Sequence, residues 1–297
     1  MQGRATAPAA GTVLNALATG RGSAFAIDLE TTASVELSDT GSITGEITDA
    51  EDAESTLIER CCALVLDRYA DESDRLSRAG VDPKDLGAHV RTESDVPVAA
   101  GLKSSSAAAN ATVLATLDAL DMASSVEPLS ACRLGIEAAR DAGVTVTGAF
   151  DDASASMLGG LTVTDNREDE LIAHDEPPWT HAAVYTPPSQ VFSADVDVDA
   201  CKQVSRLAHL VEELALDTRY AEAMCVNGLA FAAALDAPLE PILDALATAD
   251  AVSLSGTGPS YVAVGDERTL EGVLTRWADR RGTTHLVRTR SHGGTLS

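Results

Sequence analysis

The sequence predicts an α+β fold in which strands and helices do not alternate regularly. Residues 23–37 alternate apolar and polar positions as strands do, whereas residues 55–80 repeat apolar positions at helical spacing. The second half changes between short strands and helices without a repeated βα unit. A doubly wound parallel sheet needs that unit, so the pattern favours α+β.

The first half should contain a strand region, a helix, a further strand and then two more helices. Residues 55–80 should form the first helix, because their apolar side chains share one helical face. After a strand at 88–94, an alanine-rich stretch favours a helix over 107–120. A helix over 128–142 should end at Gly143, since glycine readily adopts the left-handed conformation of a helix end.

The second half should add a separate unit of short strands and helices. It starts after Gly159-Gly160, so we expect domains at residues 1–160 and 161–297. Strands are expected at 161–164, 182–185 and 285–289, and a Gly-rich turn should lead into another strand within 252–264. The expected helices are 199–215, 218–235, 239–249 and 269–280.

The surface of this 297-residue chain should be strongly acidic. Its formal net charge is −25, and its only lysines are Lys84, Lys103 and Lys202. Such a surface repels nucleic acid and anionic lipid, so neither is an expected partner. The composition is typical of adaptation to high salt, where the repulsion among carboxylates is screened.

The sequence also indicates where the protein works. It has no run of roughly 18 apolar residues, and its first residues lack the layout of a secretion signal. We therefore expect a cytoplasmic protein without a membrane span. The five cysteines form no C-x-x-C pair, which favours small buried apolar residues over zinc ligands or disulfides. They are Cys61, Cys62, Cys132, Cys201 and Cys225.

A glycine- and serine-rich segment ahead of the alanine-rich helix has the features of an anion site. Gly101 lets a backbone approach a phosphate, three serines follow, and a helix start supplies unpaired N–H groups. Lys103 adds a positive charge. The segment is not a Walker A loop, and a plain serine-capped helix is the alternative. The expected nucleotide-binding residues here are Pro97, Val98, Ala99, Ala100, Gly101, Leu102, Lys103, Ser104, Ser105, Ser106 and Ala107.

Two further segments carry residues suited to the same chemistry. Gly256, Thr257 and Gly258 form either a second backbone wall around phosphates or a tight turn before a strand. Asp151 and Asp152, in a loop bounded by glycines, suit a metal or a hydroxyl proton. The alternative for the aspartates is a solvated acidic turn, which is common in a chain with 46 acidic residues.

Together and in this order, the three segments resemble the GHMP kinase superfamily, which includes galactokinase, homoserine kinase and mevalonate kinase. That family has a P-x-x-x-G-L-x-S-S loop, a later Gly-x-Gly turn, and an aspartate segment followed by Gly-Gly. The matching residues are Pro97, Gly101, Leu102, Ser104, Ser105, Asp151, Asp152, Gly159, Gly160, Gly256 and Gly258. The strings GLKSSSA, TVTGAFDDA and SGTGPS are most similar to the archaeal shikimate kinases, and that resemblance covers nearly the whole chain.

The resemblance implies a fold and a reaction. The family fold joins an N-terminal domain of the ribosomal-S5 type to a ferredoxin-like C-terminal domain, with ATP in the cleft between them. The implied reaction moves the γ-phosphoryl group of ATP to the 3-hydroxyl of shikimate, with Mg²⁺, in chorismate and aromatic amino-acid synthesis. Homoserine kinase is the alternative activity. The acidic, lysine-poor composition fits a halophilic archaeon.

The resemblance also implies site roles. Ser104 or Ser105 should offer a hydroxyl to Mg²⁺, and Glu137 is a candidate second ligand whose alternative is an ordinary exposed helix residue. Asp151 or Asp152 should accept or orient the substrate proton. The spacing to Gly159-Gly160 fits Asp152, whereas the spacing from Gly148 fits Asp151, so the choice stays open.

Shikimate is a carboxylate, so an arginine should bind it. Arg21, Arg91 and Arg288 are the candidates. The expected substrate-binding residues are Asn15, Arg21 and Asp151. The expected partners are therefore ATP and shikimate, and the chain is expected to be a monomer or a homodimer.

Overall fold

Two β-sheets organise the chain in the computed structural model, which describes residues 1–48, 54–96, 100–145, 148–189 and 196–297. The first sheet has seven strands and the second has four. The first sheet contains β1 (Gln2–Leu14), β2 (Arg21–Ser38), β3 (Ile43–Ile47), β4 (Gly87–Ser94), β5 (Leu161–Asp165), β6 (Glu170–Asp175) and β11 (Thr295–Leu296). The second contains β7 (His181–Thr186), β8 (Ala251–Leu254), β9 (Tyr261–Gly265) and β10 (Thr283–Arg288).

The length of β2 sets the form of the first sheet. Its 18 residues pair with β1 along one side. On its other side it pairs first with β5, through residues 21–25, and then with β4, through residues 31–38. The path runs β11-β1-β2-β4-β3, and only the β3–β4 pair is parallel among the pairings described. The β5–β6 hairpin therefore stands beside the start of β2.

Helices cover one face of this sheet. They are α1 (Thr56–Tyr69), α2 (Asp74–Ala79), α3 (Ser104–Ala119), α4 (Pro128–Asp141) and α5 (Phe150–Leu158). α3 packs directly on β1 and β2. The contact is close, because a Cβ atom on Gly3 would lie 2.1 Å from the Ala115 carbonyl oxygen. The alanine-rich sequence of α3 permits this approach, since small side chains let a helix axis come near a sheet.

The second sheet shares a core with the first. Its order is β10-β7-β9-β8 with antiparallel pairs. The helices of this half are α6 (Val198–Gln203), α7 (Ser205–Leu216), α8 (Tyr220–Ala234), α9 (Glu240–Leu246) and α10 (Glu267–Trp277). Phe25 and Ile27 of β2 lie in one buried cluster with Ala182 and Val184 of β7. This cluster joins the two halves of the molecule through apolar contact.

The α+β class is confirmed, and the differences include the 13-residue strand β1, which was not predicted. The helix expected over 55–80 ends at Tyr69, and α2 starts separately after Ser73, whose hydroxyl accepts from the Leu76 N–H. Strands β3 and β6 were not predicted. The aspartate segment, expected as a loop, is the start of α5. Glycines at its borders had suggested a loop, but they enclose nine residues that suit a helix.

The strand pairing runs past the expected domain border. Leu161–Asp165 and Glu170–Asp175 both pair within the first sheet, although they follow residue 160. The division at residue 160 stays a prediction. If the sheets define the domains, the border lies after residue 175.

A C-terminal tail, residues 289–297, returns to the first sheet. The Arg290 N–H donates to the Ala26 carbonyl at 3.0 Å, and the Gly294 N–H donates to the Met157 carbonyl at 3.1 Å. β11 then pairs with β1. A Cβ atom on Gly293 would lie 2.1 Å from the Met157 carbonyl oxygen. The tail is thus fixed between β1 and the end of α5.

No helix among the described residues has the length and hydropathy needed to cross a bilayer. All five cysteines are free thiols, four of them buried and Cys225 half-buried. Burial raises the pKa of the Cys201 thiol to about 11, which keeps it protonated and unreactive at neutral pH. The prediction of buried apolar cysteines is confirmed for the four buried thiols.

Candidate active site

The serine-rich loop ends in the first turn of α3. Gly101 and Lys103 both adopt left-handed backbone conformations, with φ of +77° and +66°. The helix begins at Ser104, three residues before the expected start at Ala107, so the three serines occupy its first turn. Their N–H groups therefore belong to the unpaired set at a helix N-terminus, which attracts anions. Pro97, Val98 and Ala99 lie outside the described residues.

The loop packs directly on the Gly256–Gly258 turn. The Ser255 hydroxyl donates to the Gly101 carbonyl at 2.8 Å, and the Ser260 N–H donates to the Ala100 carbonyl at 3.2 Å. A Cβ atom on Gly101 would lie 2.4 Å from the Ser255 carbonyl oxygen. Glycine is needed at this position both for its backbone conformation and for the close approach. The structure therefore brings two of the three predicted segments into contact.

Lys103 connects the serine-rich loop and the Gly256–Gly258 turn to the aspartate segment. Its ammonium nitrogen lies 2.9 Å from Asp152 Oδ1, and its side chain is 8% exposed. The ammonium also lies against Gly256, where a Cβ atom would be 2.7 Å from Nζ. A left-handed conformation costs a non-glycine residue about 1–2 kcal/mol, and the buried ion pair offsets that cost. Lys103 is thus the residue at which all three predicted segments meet.

Asp152 has an unusual protonation equilibrium. Burial, followed by the negative charge of Asp151, raises the pKa of Asp152 to about 7, while Lys103 acts in the opposite direction. Both aspartates lie in the first turn of α5, where the helix dipole favours negative charge. A carboxylate with a pKa near neutrality is well matched to accepting a proton and releasing it again.

Asp151 is held by hydrogen bonds to Asn166, whereas Asp152 pairs with Lys103. It is 4% exposed, and its Oδ1 accepts from the Asn166 side-chain amide at 2.7 Å. The Asp151 N–H donates back to Asn166 Oδ1 at 3.1 Å, and the Thr164 hydroxyl donates to the same oxygen at 2.8 Å. Its carboxylate packs on Gly22, where a Cβ atom would lie 2.5 Å from Oδ2. Asn166 was not predicted as a site residue, because an Asn at a strand end usually marks a turn.

A pocket opens between α3, α4 and the start of α5. Its lining residues are Ser105, Ser106, Ala109, Gly135, Ile136, Ala139, Val144, Thr145, Gly148, Ala149, Asp152 and Ala153. Most of the lining residues are small or apolar, and Ser105, Ser106, Thr145 and Asp152 contribute the polar side chains. Ser105 and Asp152 therefore share this pocket, whereas Ser104 does not contribute to its wall.

Asn15 lies beside the site but binds within the protein. Its side-chain amide donates to the Gly256 carbonyl at 2.8 Å, and its Oδ1 accepts from the Leu17 N–H at 2.9 Å. The Asn15 N–H donates to Asn227 Oδ1 at 2.8 Å. Asn15 thus positions the Gly256 turn, and its expected contact with the substrate stays a prediction.

Glu137 forms an ion pair with a residue of α1. Its carboxylate is 45% exposed and lies 3.4 Å from the Arg68 guanidinium. The residues of α4 that line the pocket are Gly135, Ile136 and Ala139. The Glu137 side chain faces α1 through this ion pair, and its expected role as a metal ligand stays a prediction.

The three candidate arginines occupy different places. Arg21 is adjacent to Gly22 and 27% exposed, with Asp165 at 3.3 Å and Glu212 at 3.4 Å. Arg91 lies on the solvent-facing side of β4 and pairs with Glu46. Arg288 is exposed at the end of β10 in the second sheet. Of the three, only Arg21 neighbours a residue that touches Asp151.

The fold and the site define a small-molecule kinase of the GHMP class. Residues 57–160 match the family described as the GHMP kinases N terminal domain. The fold is similar to a homoserine kinase from Cytophaga hutchinsonii, with 17% identity and a TM-score of 0.76 over 100% of this chain and 97% of that chain. It is also similar to the Methanococcus jannaschii mevalonate kinase, with 14% identity and a TM-score of 0.69 over 97% and 98% of the two chains. These likenesses confirm the expected GHMP kinase fold.

Similarity in sequence is far higher to one branch of the class. A shikimate kinase of Halobacterium salinarum, a halophilic archaeon, is 58% identical over 294 residues, covering 99% of both chains. A shikimate kinase of Methanothrix thermoacetophila is 48% identical over 283 residues, covering 95% of this chain and 92% of that protein. The chain belongs to this family of archaeal shikimate kinases.

Proposed function

We propose that the protein transfers the γ-phosphoryl group of ATP to the 3-hydroxyl group of shikimate. The observation that carries this proposal is the meeting of phosphate loop, glycine turn and aspartate helix at Lys103, which lies 2.9 Å from Asp152. Full-length identity of 58% to a shikimate kinase supports the choice of substrate. ATP is the phosphoryl donor typical of kinases in this superfamily.

The loop and the turn suit a triphosphate. N–H groups from Gly101 to Ser106 and the positive end of α3 favour the phosphate oxygens, and the Gly256–Gly258 backbone forms the opposite wall. Lys103 supplies the positive charge between them. Because phosphoryl transfer involves little covalent work by the protein, such positioning and charge stabilisation account for most of the rate enhancement.

Asp152 is the proton acceptor in this proposal. The shikimate 3-oxygen attacks the γ-phosphorus, a new O–P bond forms, and the bond from the γ-phosphorus to the bridging oxygen of ADP breaks. The hydroxyl proton passes to the Asp152 carboxylate and later to water. Asp151, held by Asn166 and 4% exposed, contributes negative charge beside Asp152 and leaves one carboxylate oxygen facing Gly22.

The donor groups fit a Mg²⁺ ion bound largely through the nucleotide. The Ser105 hydroxyl and the Asp152 carboxylate border one pocket, and Ser104 lies one residue away. No group of three metal-ligating side chains occurs among the described residues. That matches Mg²⁺, which commonly takes one or two carboxylates and completes its shell with phosphates and water. When bound, the ion would neutralise charge on the phosphates.

An assay with three acceptors tests the proposal. ADP release is coupled to a spectroscopic signal in the presence of ATP, Mg²⁺ and either shikimate, homoserine or mevalonate. We expect turnover with shikimate alone and a phosphate monoester at its 3-position in the ³¹P spectrum. Turnover of homoserine without turnover of shikimate would favour the alternative kinase activity and reject the proposal.

A further inference from the structure

The turn that precedes α5 is held by an ion pair outside the active-site pocket. Gly148 and Ala149 form this turn, and both have left-handed backbone conformations, with φ of +85° and +51°. Left-handed geometry is costly for alanine, so the turn needs support from its surroundings. Both residues border the pocket that contains Asp152. Asp152 lies in the first turn of α5, directly after this turn.

Arg140 supplies that support from α4. A Cβ atom on Gly148 would lie 2.2 Å from Arg140 Nη2, so the guanidinium packs flat against the glycine. Arg140 donates from Nη1 and Nη2 to the two carboxylate oxygens of Asp169, both at 2.7 Å. This is a two-pronged arginine–carboxylate pair, the geometry that fixes a guanidinium plane most firmly.

Asp169 lies in the connection between β5 and β6, and it contacts a second arginine of α4 as well. It has φ of +49°, and its carbonyl oxygen accepts from Arg133 Nη2 at 3.1 Å. The Arg133 guanidinium also lies 5.8 Å from the ring centroid of Phe150, the first residue of α5. Two arginines on α4 thus bind one aspartate, and the start of α5 lies beside both.

We propose that Arg140, through Asp169, is a positioning residue that fixes the Gly148–Ala149 turn and so holds Asp152 beside Lys103. This inference rests on the proposed role of Asp152 in phosphoryl transfer. The pair touches neither the phosphate loop nor the Gly256 turn among the described contacts. It should therefore control the chemical step without controlling the binding of ATP.

Kinetics of Arg140→Met and Asp169→Asn test the proposal. Each variant should lower kcat by about 10²-fold, since a displacement near 1 Å at a reacting group has that effect, while KM for ATP stays within about twofold. The double variant should be no slower than the slower of the two single variants, because each single substitution already breaks the Arg140–Asp169 pair. Arg140→Lys should recover only part of kcat, since lysine lacks the planar fork.

Arg60→Met is the matched control. Arg60 forms a 2.7 Å pair with Asp141, the neighbour of Arg140, and its side chain is 43% exposed, as is that of Arg140. This variant should retain the kcat of the unmodified enzyme. An equal loss in Arg60→Met, or independent losses that multiply in the Arg140/Asp169 double variant, would overturn the proposal.

Amide hydrogen exchange separates this inference from the proposed function. In Arg140→Met, peptides covering 148–158 should exchange faster, whereas peptides covering 104–119 should not change. That readout needs no substrate. Absence of shikimate turnover in the unmodified protein would reject the proposed function only, whereas unchanged exchange at 148–158 in a folded Arg140→Met variant would reject the positioning role.

Discussion

Lys103 is a charged residue in a conformation that glycine adopts at lower cost. Its φ of +66° and its 8% exposed side chain would both destabilise the protein without a partner. The partner is Asp152, and space for the ammonium exists because position 256 has no side chain. Strain of this kind persists where the surroundings over-determine it, which is common at functional sites.

The two neighbouring aspartates should differ in their effect on catalysis. Asp152→Asn should lower kcat roughly 10²–10⁴-fold, because the variant loses its proton acceptor. Asp151→Asn should have a much smaller effect, since an amide oxygen can still accept from Asn166. Steady-state kinetics with ATP and shikimate measure both. If Asp151→Asn were the more damaging change, the proton acceptor would be Asp151.

The acid limb of the pH profile should respond in opposite directions to two substitutions. Asp152 must be ionised to accept a proton, so kcat/KM should fall as the pH drops through its raised pKa of about 7, well above the usual range for aspartate. Asp151→Asn removes a neighbouring negative charge, favours ionised Asp152 and should move the limb to lower pH. Lys103→Met removes the opposing positive charge and should move it to higher pH.

The position of each limb is read from kcat/KM between pH 5 and 9, and a lower overall rate in Lys103→Met does not affect that reading. If Asp151→Asn and Lys103→Met moved the acid limb in the same direction, Asp152 would not be the group that titrates.

At the scale of elements, the contact between loop and turn depends on Gly101. In Gly101→Ala the new Cβ atom would lie 2.4 Å from the Ser255 carbonyl and 2.6 Å from the Gly258 carbonyl. Because both obstacles are backbone atoms, the loop must move away from the turn. We expect KM for ATP to rise by about 10²-fold, the effect typical of a displacement near 1 Å.

Gly80→Ala is the control for backbone strain. Gly80 has φ of +69°, close to the +77° of Gly101, but a Cβ atom there meets nothing within 4 Å. Both variants should lose about 1–2 kcal/mol of unfolding free energy. Only Gly101→Ala should lose affinity for ATP, and an equal rise of KM in Gly80→Ala would contradict the explanation.

Some elements were predicted closely, whereas the 13-residue β1 was missed and the helices expected over 55–80 and 199–215 are each divided in two. The strand at 87–94 and the helices starting at 104 and 128 lie within three residues of their predicted bounds. Strands β3 and β6 have five and six residues and depend on partners distant in sequence. Local pattern cannot supply such partners.

The site was predictable where a motif carries it. Lys103, Ser105 and Asp152 stood in recognisable segments, and the structure brings them together. Asn166 and Arg140 were not identified, since each acts through a contact that spans at least 15 residues of chain. The role of Glu137 stays a prediction, because the direction of a side chain on α4 depends on how that helix packs.

At the scale of the whole molecule, the net charge of −25 should make stability depend on salt. Repulsion among surface carboxylates weakens as the Debye length falls from about 10 Å at 0.1 M to about 3 Å at 1 M. We expect calorimetry to show Tm rising with NaCl over this range. Sucrose at equal osmolality should give a smaller rise, and a Tm independent of NaCl would contradict this account.

The tail at residues 289–297 has a consequence for how the chain folds during synthesis. β1 is synthesised long before its partner β11, which is at residues 295–296. Until those residues are made, one edge of β1 presents unpaired backbone groups, which is the usual template for aggregation. Contacts of such sequence separation also slow folding. The first sheet therefore gains its last edge strand only after the second half of the chain has been translated.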